Sequence, residues 1–440
     1  MGRSDVTERE VIMNGKKILV LLVTATAAFS VFALGNGLNL NGLGSRAVSM
    51  GGAFVGLADD WSAVYWNPAG AASFDRPVLG FSLADLIPSS TYVFDSGMPD
   101  GPPSFLAESL KSHYLCGMGA YYKPVSRGVV VGFGVATPSG LGANWDGNDF
   151  VSLGGAAYEW TSRIGVFSLS PLVAVQVRDW LSLGATIHIN YGSFRAAMPA
   201  GSMSVPGDPP LEVDLGQYEE SMTGWGFGAT LGILVRPADR LGLGLTVRTA
   251  STMKFKGSAR ISNFPFLELP GESTLRRDVT WPLWIGTGIS WRPVDKLTLT
   301  ADLQWTQWSK IEALETRYED PTWVPLMEET GNDVRTMSWM DKAQIRLGAE
   351  YRPSQAWALR AGYTSDPSPA PDATMNVLLP STDFHVLAVG VGRRVGDLDL
   401  AFGLEYLSGK DRTVAPSLDN MPGIYTMSII VPSLSIGYRF

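Results

Sequence analysis

Hydrophobic and small or polar residues alternate at the carboxyl end of the chain. Ser428 to Phe440 reads SIIVPSLSIGYRF, with Ile430, Leu434, Ile436, Tyr438 and Phe440 on one parity and Ser433, Ser435, Gly437 and Arg439 on the other. Period two is the signature of a strand with unlike faces. The pattern recurs: Leu297, Leu299, Ala301, Leu303 and Trp305 oppose Thr298, Thr300, Asp302 and Gln304, and Trp225, Phe227, Ala229, Leu231 and Ile233 oppose Gly224, Gly226, Gly228 and Thr230. Six short turn signatures, at 123–127, 178–180, 236–240, 292–296, 352–355 and 394–397, stand between alternating runs. Most hold Pro or Asp, which suit tight turns. Roughly 40 to 60 residues lie between successive turns, enough for two membrane strands and a long loop. Counting outward predicts strands near 78–84, 114–123, 128–137, 161–177, 181–194, 221–236, 240–256, 279–292, 296–310, 337–352, 357–365, 383–394, 398–409 and 428–440.

The expected fold is therefore all-β, a transmembrane antiparallel β-barrel of about 14 strands over 77–440. Closure satisfies every backbone group inside lipid, which an open sheet does not. Aromatics near strand ends, including Trp281, Trp291, Trp305, Trp308, Tyr351, Trp357, Tyr363 and Tyr406, read as interface anchors. Charges on the opposite parity, Arg248, Asp302, Arg346, Glu350, Arg360, Glu405 and Arg439, should face the lumen.

Composition agrees. The 440 residues are 45% hydrophobic but only 17% charged, with 49 Gly, against about 25% charged in soluble domains. No apolar run long enough for a helical span follows residue 33. Lys16 and Lys17, the apolar run from Ile18 to Phe32 and a small residue at Ala33 predict a signal peptide over 1–33, with Met13 as the expected start. A membrane anchor is the alternative. Cys116 is the one cysteine, so no internal disulfide forms, and a net charge of −8 argues against a nucleic-acid partner.

Residues 34–76 alternate poorly and are rich in glycine. A segment with no span of its own sits in the periplasm or as a plug in the lumen, and a barrel of this size has room for a plug. Asn67-Pro68 fixes backbone direction there. Asp59 and Asp60 either accept hydrogen bonds from lumen arginines such as Arg346 or Arg360, or statically cap a turn.

The stretch from Gly44 to Gly70, GSRAVSMGGAFVGLADDWSAVYWNPAG, resembles the amino-terminal hatch of the FadL family, outer-membrane transporters of long-chain fatty acids and aromatic hydrocarbons. The matching pieces are Gly44, Arg46, Met50-Gly51-Gly52-Ala53, Ala58-Asp59-Asp60 and Asn67-Pro68-Ala69-Gly70. Thr137-Pro138-Ser139-Gly140-Leu141, leading towards Trp145, is a second match, and Ser170-Pro171-Leu172 a third. The family usually has an aromatic where Ser139 stands. Together with strand count and terminal Phe440, the resemblance spans the mature chain. It implies a hatch gate at Arg46, Gly51, Gly52, Asp59, Asp60, Asn67, Pro68 and Ala69. It also implies a hydrophobic groove in extracellular loops, a lumen pocket beside the hatch, and lateral exit through a kinked third strand.

The residues fit each step on their own terms. Phe264, Phe266 and Leu267 form an apolar cluster in a loop that should be polar, either a binding surface or a lid packed on a neighbouring loop. Met198, Met203 and Leu211 suit promiscuous apolar ligands, unless the Pro and Gly around them make a disordered loop. Gly132 and Gly134 in strand three ease a bulge, and Pro138 removes a ladder donor.

The expected partners are hydrophobic small molecules, outer-membrane lipid and lipopolysaccharide, and the barrel assembly machinery through Phe440. A monomer is expected, with no cofactor and no metal. Two rivals stand beside the transporter. A general porin is opposed by the hatch and the apolar loops. A barrel-embedded lipid hydrolase needs a nucleophile with a base. Of three histidines, His113 and His385 lie near loop ends, and His188 reads as a lumen polar residue with Thr186 and Asn190.

Overall fold

A computed structural model of the chain describes residues 37–97, 103–205 and 211–440. The expected signal peptide and the Met13 start lie outside the described residues. Among these residues fourteen antiparallel strands close into a barrel. They are β1 (Val78–Phe94), β2 (Tyr114–Ser126), β3 (Val129–Trp145), β4 (Trp160–Arg178), β5 (Leu181–Pro199), β6 (Gln217–Ala238), β7 (Leu241–Arg248 continued as Ser251–Ile261), β8 (Glu272–Trp281 continued as Trp284–Val294), β9 (Leu297–Thr306), β10 (Lys342–Tyr351), β11 (Trp357–Asp366), β12 (Phe384–Val395), β13 (Leu398–Gly409) and β14 (Gly423–Arg439). β14 returns beside β1, in register from Val78↔Arg439 to Phe94↔Gly423. Pro282 falls between the halves of β8, where a missing N–H costs the ladder least.

Alternation decides which face is which. Trp225, Phe227, Leu231 and Ile233 of β6 are exposed to the lipid side, while Gly224, Gly226 and Thr230 are buried inward. Ile430, Leu434, Ile436, Tyr438 and Phe440 likewise point outward from β14. Trp291, Tyr351, Trp357 and Tyr406 are exposed, as interface anchors should be. Trp308 is not: it is fully buried, edge-on to Trp339 and against Gly37, because the chain leaves the barrel wall after Thr306.

Several strands run further than their alternation foretold. β1 continues to Phe94 through Pro88, which sits opposite Ile429 where the register with β14 resumes. Above the lipid band the strands support a cap. It contains the hairpin Ser202–Val205/Leu211–Asp214, the strands Ala313–Tyr318 and Val334–Thr336, and a helix, α3, over Trp323–Thr330. The helices α1 (Ser45–Ser49) and α2 (Ala63–Trp66) belong instead to the segment 37–76 that precedes β1.

Candidate functional site

Residues 37–76 occupy the lumen, which settles the choice left by their weak alternation. Their turns are held to the wall by side chains pointing inward from the strands. The carboxylate of Asp302 accepts the backbone N–H groups of Phe54 and Val55, each at 2.8 Å. The Gly51 carbonyl accepts from Arg346 Nη1 (3.2 Å) and Thr364 Oγ1 (2.7 Å). Asn67 donates to Val55 O and to Ile233 O of β6, and its own Oδ1 accepts from Ala69 N, so Pro68 begins a short 3-10 turn. Gly51 and Gly52 have φ of 64° and 67°, a region L residues rarely adopt. A Cβ on Gly51 would lie 2.7 Å from Leu347 O, and one on Gly52 would collide with Arg346.

The wall is shaved to match. A Cβ on Gly288 would come within 2.6 Å of Gly56 N, and one on Gly348 within 2.5 Å of Met50 O. The hatch thus rests on backbone where its turns touch β8 and β10.

At the periplasmic edge an ionic hub joins hatch to wall. Arg46 meets both oxygens of Glu350 (2.8 and 3.1 Å), Asp59 at 2.5 Å and Asp60 at 3.4 Å. Glu350, 1% exposed, also binds Arg352 and Arg360. Burial opposes the Arg46 charge, but Asp59, Glu350 and Asp60 outweigh it and hold the guanidinium protonated well above its usual range. For Asp59, burial pushes upward and Arg46 more than offsets it, so the carboxyl sits below the ordinary carboxylate value. Asp59 and Asp60 therefore pair with Arg46 inside the hatch, and Asp59 also meets Arg292 of the wall at 3.6 Å, rather than Arg346 or Arg360 as the sequence suggested. Arg346 serves the Gly51 carbonyl and Arg360 serves Glu350. Asp60 does cap a turn, accepting from Ser62 N and Oγ.

β3 is broken, but above the glycines singled out from sequence. Gly132 and Gly134 remain paired with Tyr122 and Ala120 of β2. The ladder with β2 stops at Met118↔Ala136, and the register with β4 slips between Ala136 and Ser139. Pro138 lies inside that slip. Thr137 replaces the lost backbone pair with its side chain: Oγ1 accepts from Gly117 N (3.0 Å) and donates to Gly117 O (3.2 Å). The hatch strand crosses behind the break. Asn39 bridges Ser139, Leu40 N donates to Pro138 O at 3.2 Å, and Ser139 Oγ donates to Leu38 O while accepting from Trp281 Nε1 at 2.8 Å. Ser139, where the family usually has an aromatic, is thus a polar junction.

Two of the cavities among the described residues have partly apolar linings that join hatch, wall and cap. An inner one of about 70 Å³ abuts the break, between Val64 and Tyr65 of the hatch, Met118, Pro138, Met253, Trp281 and Trp284. Arg248 lies over the rings of Tyr65 and Trp284 and donates to Tyr65 O, while its buried Nε has no partner. His188 sits here between Ser170 and Thr230, a lumen polar residue as expected.

The outer cavity, about 400 Å³, lies within the cap and brings together Met198 at the end of β5, Met203 of the hairpin that follows it, Phe264 after β7 and Met327 of α3. Phe264 packs on Trp323. Phe266 and Leu211 do not line it: they are 84% and 64% exposed. Leu267 is half-buried outside it. The cavity's ion pair is internally satisfied: Arg277 holds both oxygens of Glu220 at 2.8 Å and also bonds Thr316, while Tyr218 joins Glu220 to Tyr318. Arg335 lines the same space, its backbone paired with Leu314 and its guanidinium with no hydrogen bond or ion pair among the described residues.

Sequence parity located Asp302, Glu350, Arg346 and Arg248 on the lumen side but not as hatch anchors, since nothing in a single strand marks what lies opposite. Tyr218 and Glu220 stand on the inward parity of β6, just before the start near 221 read from sequence, and Arg335 sits in a cap strand of three residues, too short to show a period.

The family model for "Outer membrane protein transport protein (OMPP1/FadL/TodX)" matches residues 20–440. A long-chain fatty acid transport protein of Salmonella typhi is 25% identical over 419 residues, covering 88% of this chain and 91% of the relative. Among solved structures, a Pseudomonas aeruginosa FadL homologue superimposes with a TM-score of 0.75 at 19% identity, covering 92% of this chain and all of the other. The Pseudomonas putida toluene transporter TodX gives 0.69 at 16%, covering 91% and 99%. Hatch, barrel and family match converge: the chain belongs to the FadL/TodX family of outer-membrane transport proteins.

Proposed function

We propose that this chain carries long-chain fatty acids, or molecules with the same division into apolar tail and anionic head, passively from the outer cavity to the inner one and sideways into the membrane at the β3 break. The observation that carries this reading is the stacking of two largely apolar cavities, the lower one against both the hatch and the break. Each contains one arginine with uncommitted donor capacity, Arg335 above and Arg248 below. A guanidinium in an apolar chamber favours a carboxylate ligand, since charge-assisted pairs are strongest where water is scarce. A plain hydrocarbon leaves both groups unmatched.

In this reading residues 34–76 act as the gate, with Arg46, Asp59, Asp60, Asn67 and Pro68 keeping it seated and Gly51 and Gly52 allowing its close fit. Thr137, Pro138 and Ser139 border the exit, and Met198, Met203 and Phe264 form the entry pocket. A signal peptide over 1–33 and assembly through Phe440 complete the proposal, and the channel works as a monomer.

The test is uptake of labelled fatty acid and of labelled toluene by cells carrying no protein, wild type or Arg335→Gln. Wild type should raise fatty-acid uptake, and Arg335→Gln should lower it about tenfold, the worth of one charge-assisted hydrogen bond, while leaving toluene alone. Equal fatty-acid uptake with and without the protein rejects transport. An equal fall for both cargoes rejects the role of the arginine. A large, steady single-channel conductance would favour the porin instead.

A further inference from the structure

The short turns carry charge opposite in sign to the chain as a whole. Over 123–128, 176–181, 236–241, 292–297, 352–357 and 393–398 there are ten Lys and Arg against four Asp, in a chain of net charge −8. In an outer-membrane barrel the short turns face the periplasm, so this rim meets the inner leaflet. Elsewhere on the rim many basic groups are already committed: Arg76 pairs with Asp397, Arg240 with Asp295, Arg292 with Asp59, Arg352 with Glu350 and Arg394 with Asp399, while Arg393 lies over the Trp357 ring. Lys296 is exposed without an ion pair but stands alone, whereas one arc gathers three such cations. Lys123, Arg127 and Arg178, in the turns joining β2 to β3 and β4 to β5, are exposed and make no ion pair among the described residues. Between them stand exposed Val125 (55%), Val177 (39%) and Trp180 (52%).

We infer that this arc, beneath the broken strand, binds the phosphate headgroups of anionic phospholipids in the inner leaflet. Apolar and indole side chains at the interface anchor the turns at headgroup depth, and three cations without a carboxylate partner at that level complement anionic lipid. A zwitterionic headgroup carries no net charge and gains little there. Salt screens such a contact, because the groups are exposed. An acidic protein would find the cations, but it has no use for Val125, Val177 and Trp180 already buried in the bilayer edge.

The test places purified protein in phosphatidylcholine nanodiscs doped with phosphatidylglycerol and measures, by native mass spectrometry, which lipid stays bound. Wild type should retain phosphatidylglycerol preferentially, and less so when prepared in high salt. Each basic residue near an anionic surface contributes about fivefold, so Lys123→Gln/Arg127→Gln/Arg178→Gln should cut retention by at least about tenfold. A control variant, Arg76→Gln/Arg240→Gln/Arg394→Gln, removes equal charge from the paired part of the rim and should retain the lipid. No preference in wild type, unchanged retention in the triple variant, or an equal loss in the control each overturns the inference. Heat-modifiable migration on gels confirms that each variant is folded. If the triple variant fails that check, the wild type decides alone: preference insensitive to salt overturns the assignment.

Discussion

Glu350→Gln should unlatch the periplasmic edge of the hatch while leaving the barrel closed. Glu350 accepts from Arg46, Arg352 and Arg360, and removing one partner of a buried pair commonly costs about 3–5 kcal/mol. Only part of that bears on the gate. Arg352 and Arg360 stay on the wall whether the hatch is seated or not, so their loss enters both states and cancels. Arg46 alone belongs to the hatch, and it keeps Asp59 and Asp60. What separates seated from unseated is its two hydrogen bonds to one carboxylate, worth about 1.5–3 kcal/mol for bonds to a charged group. That corresponds to roughly a 10- to 150-fold rise in the unseated population. Hydrogen–deuterium exchange reads this directly: amides of Ser45–Ser49 and residues 50–60 should exchange faster by that factor, while ladder amides of β10 and β11 keep their protection. Unchanged hatch exchange in a folded Glu350→Gln protein would refute the hub as a latch. Equal acceleration of the β10 and β11 ladder would show that Glu350 serves the barrel instead.

Acid should act on the same latch. Asp59 is depressed below its ordinary value, so its contribution is complete above about pH 4 and is lost only as pH falls through the lower folded value; hatch exchange flat from pH 7 to 5 and rising only in stronger acid is the expected profile. Thr137→Val removes the hydroxyl that closes the β2–β3 seam and strands Gly117 N–H, at a cost of about 1–3 kcal/mol, so initial hydrophobe uptake should rise with the barrel still heat-modifiable; an unchanged rate counts against exit at this seam. Valine at Gly132 or Gly134 reads, from sequence, as bulk added to the exit of an intact barrel. The structure predicts otherwise: a Cβ at Gly134 meets Val64 Cγ1 of the hatch at 2.8 Å and one at Gly132 meets Tyr121 O at 2.5 Å, so both variants should give less heat-modifiable protein than wild type on the same gels.

Much of the barrel was legible because a strand between lipid and lumen must alternate, and β6, β9 and β14 do so without interruption. In the cap beyond Ile261 and Thr306 the elements are short: Ala313–Tyr318 turns Leu314, Thr316 and Tyr318 inward and Glu315 and Arg317 outward over only six residues, and α3 spans eight, too few to stand out as a period. Trp308 looked like an interface anchor because its neighbours were, yet the turn after Thr306 carries it inward against Gly37 and Trp339. The hatch itself was visible as a run of glycines, but which wall residues meet it depends on register across the lumen. Asp59 next to Arg46 shows the limit well: both were named, and only the folded turn makes them partners. Of the three residues named for a break in β3, the register slips at Pro138 and not at Gly132 or Gly134, because Gly only permits a bulge while Pro removes a ladder donor.

The hatch meets β8 and β10 through atoms the wall lacks, at Gly288 and Gly348. Its seat is therefore recorded in the sequence as a subtraction, and substitution experiments would read it as such. Along these strands tolerance should swing with every step: the lipid-facing neighbours Ile289 and Leu347, both exposed, accept almost any apolar side chain, while the glycine between them and the lumen accepts none, not even alanine. A saturation library scored for assembled protein would then trace the outline of the hatch on the inner wall as a row of intolerant positions, without any measurement of the hatch itself.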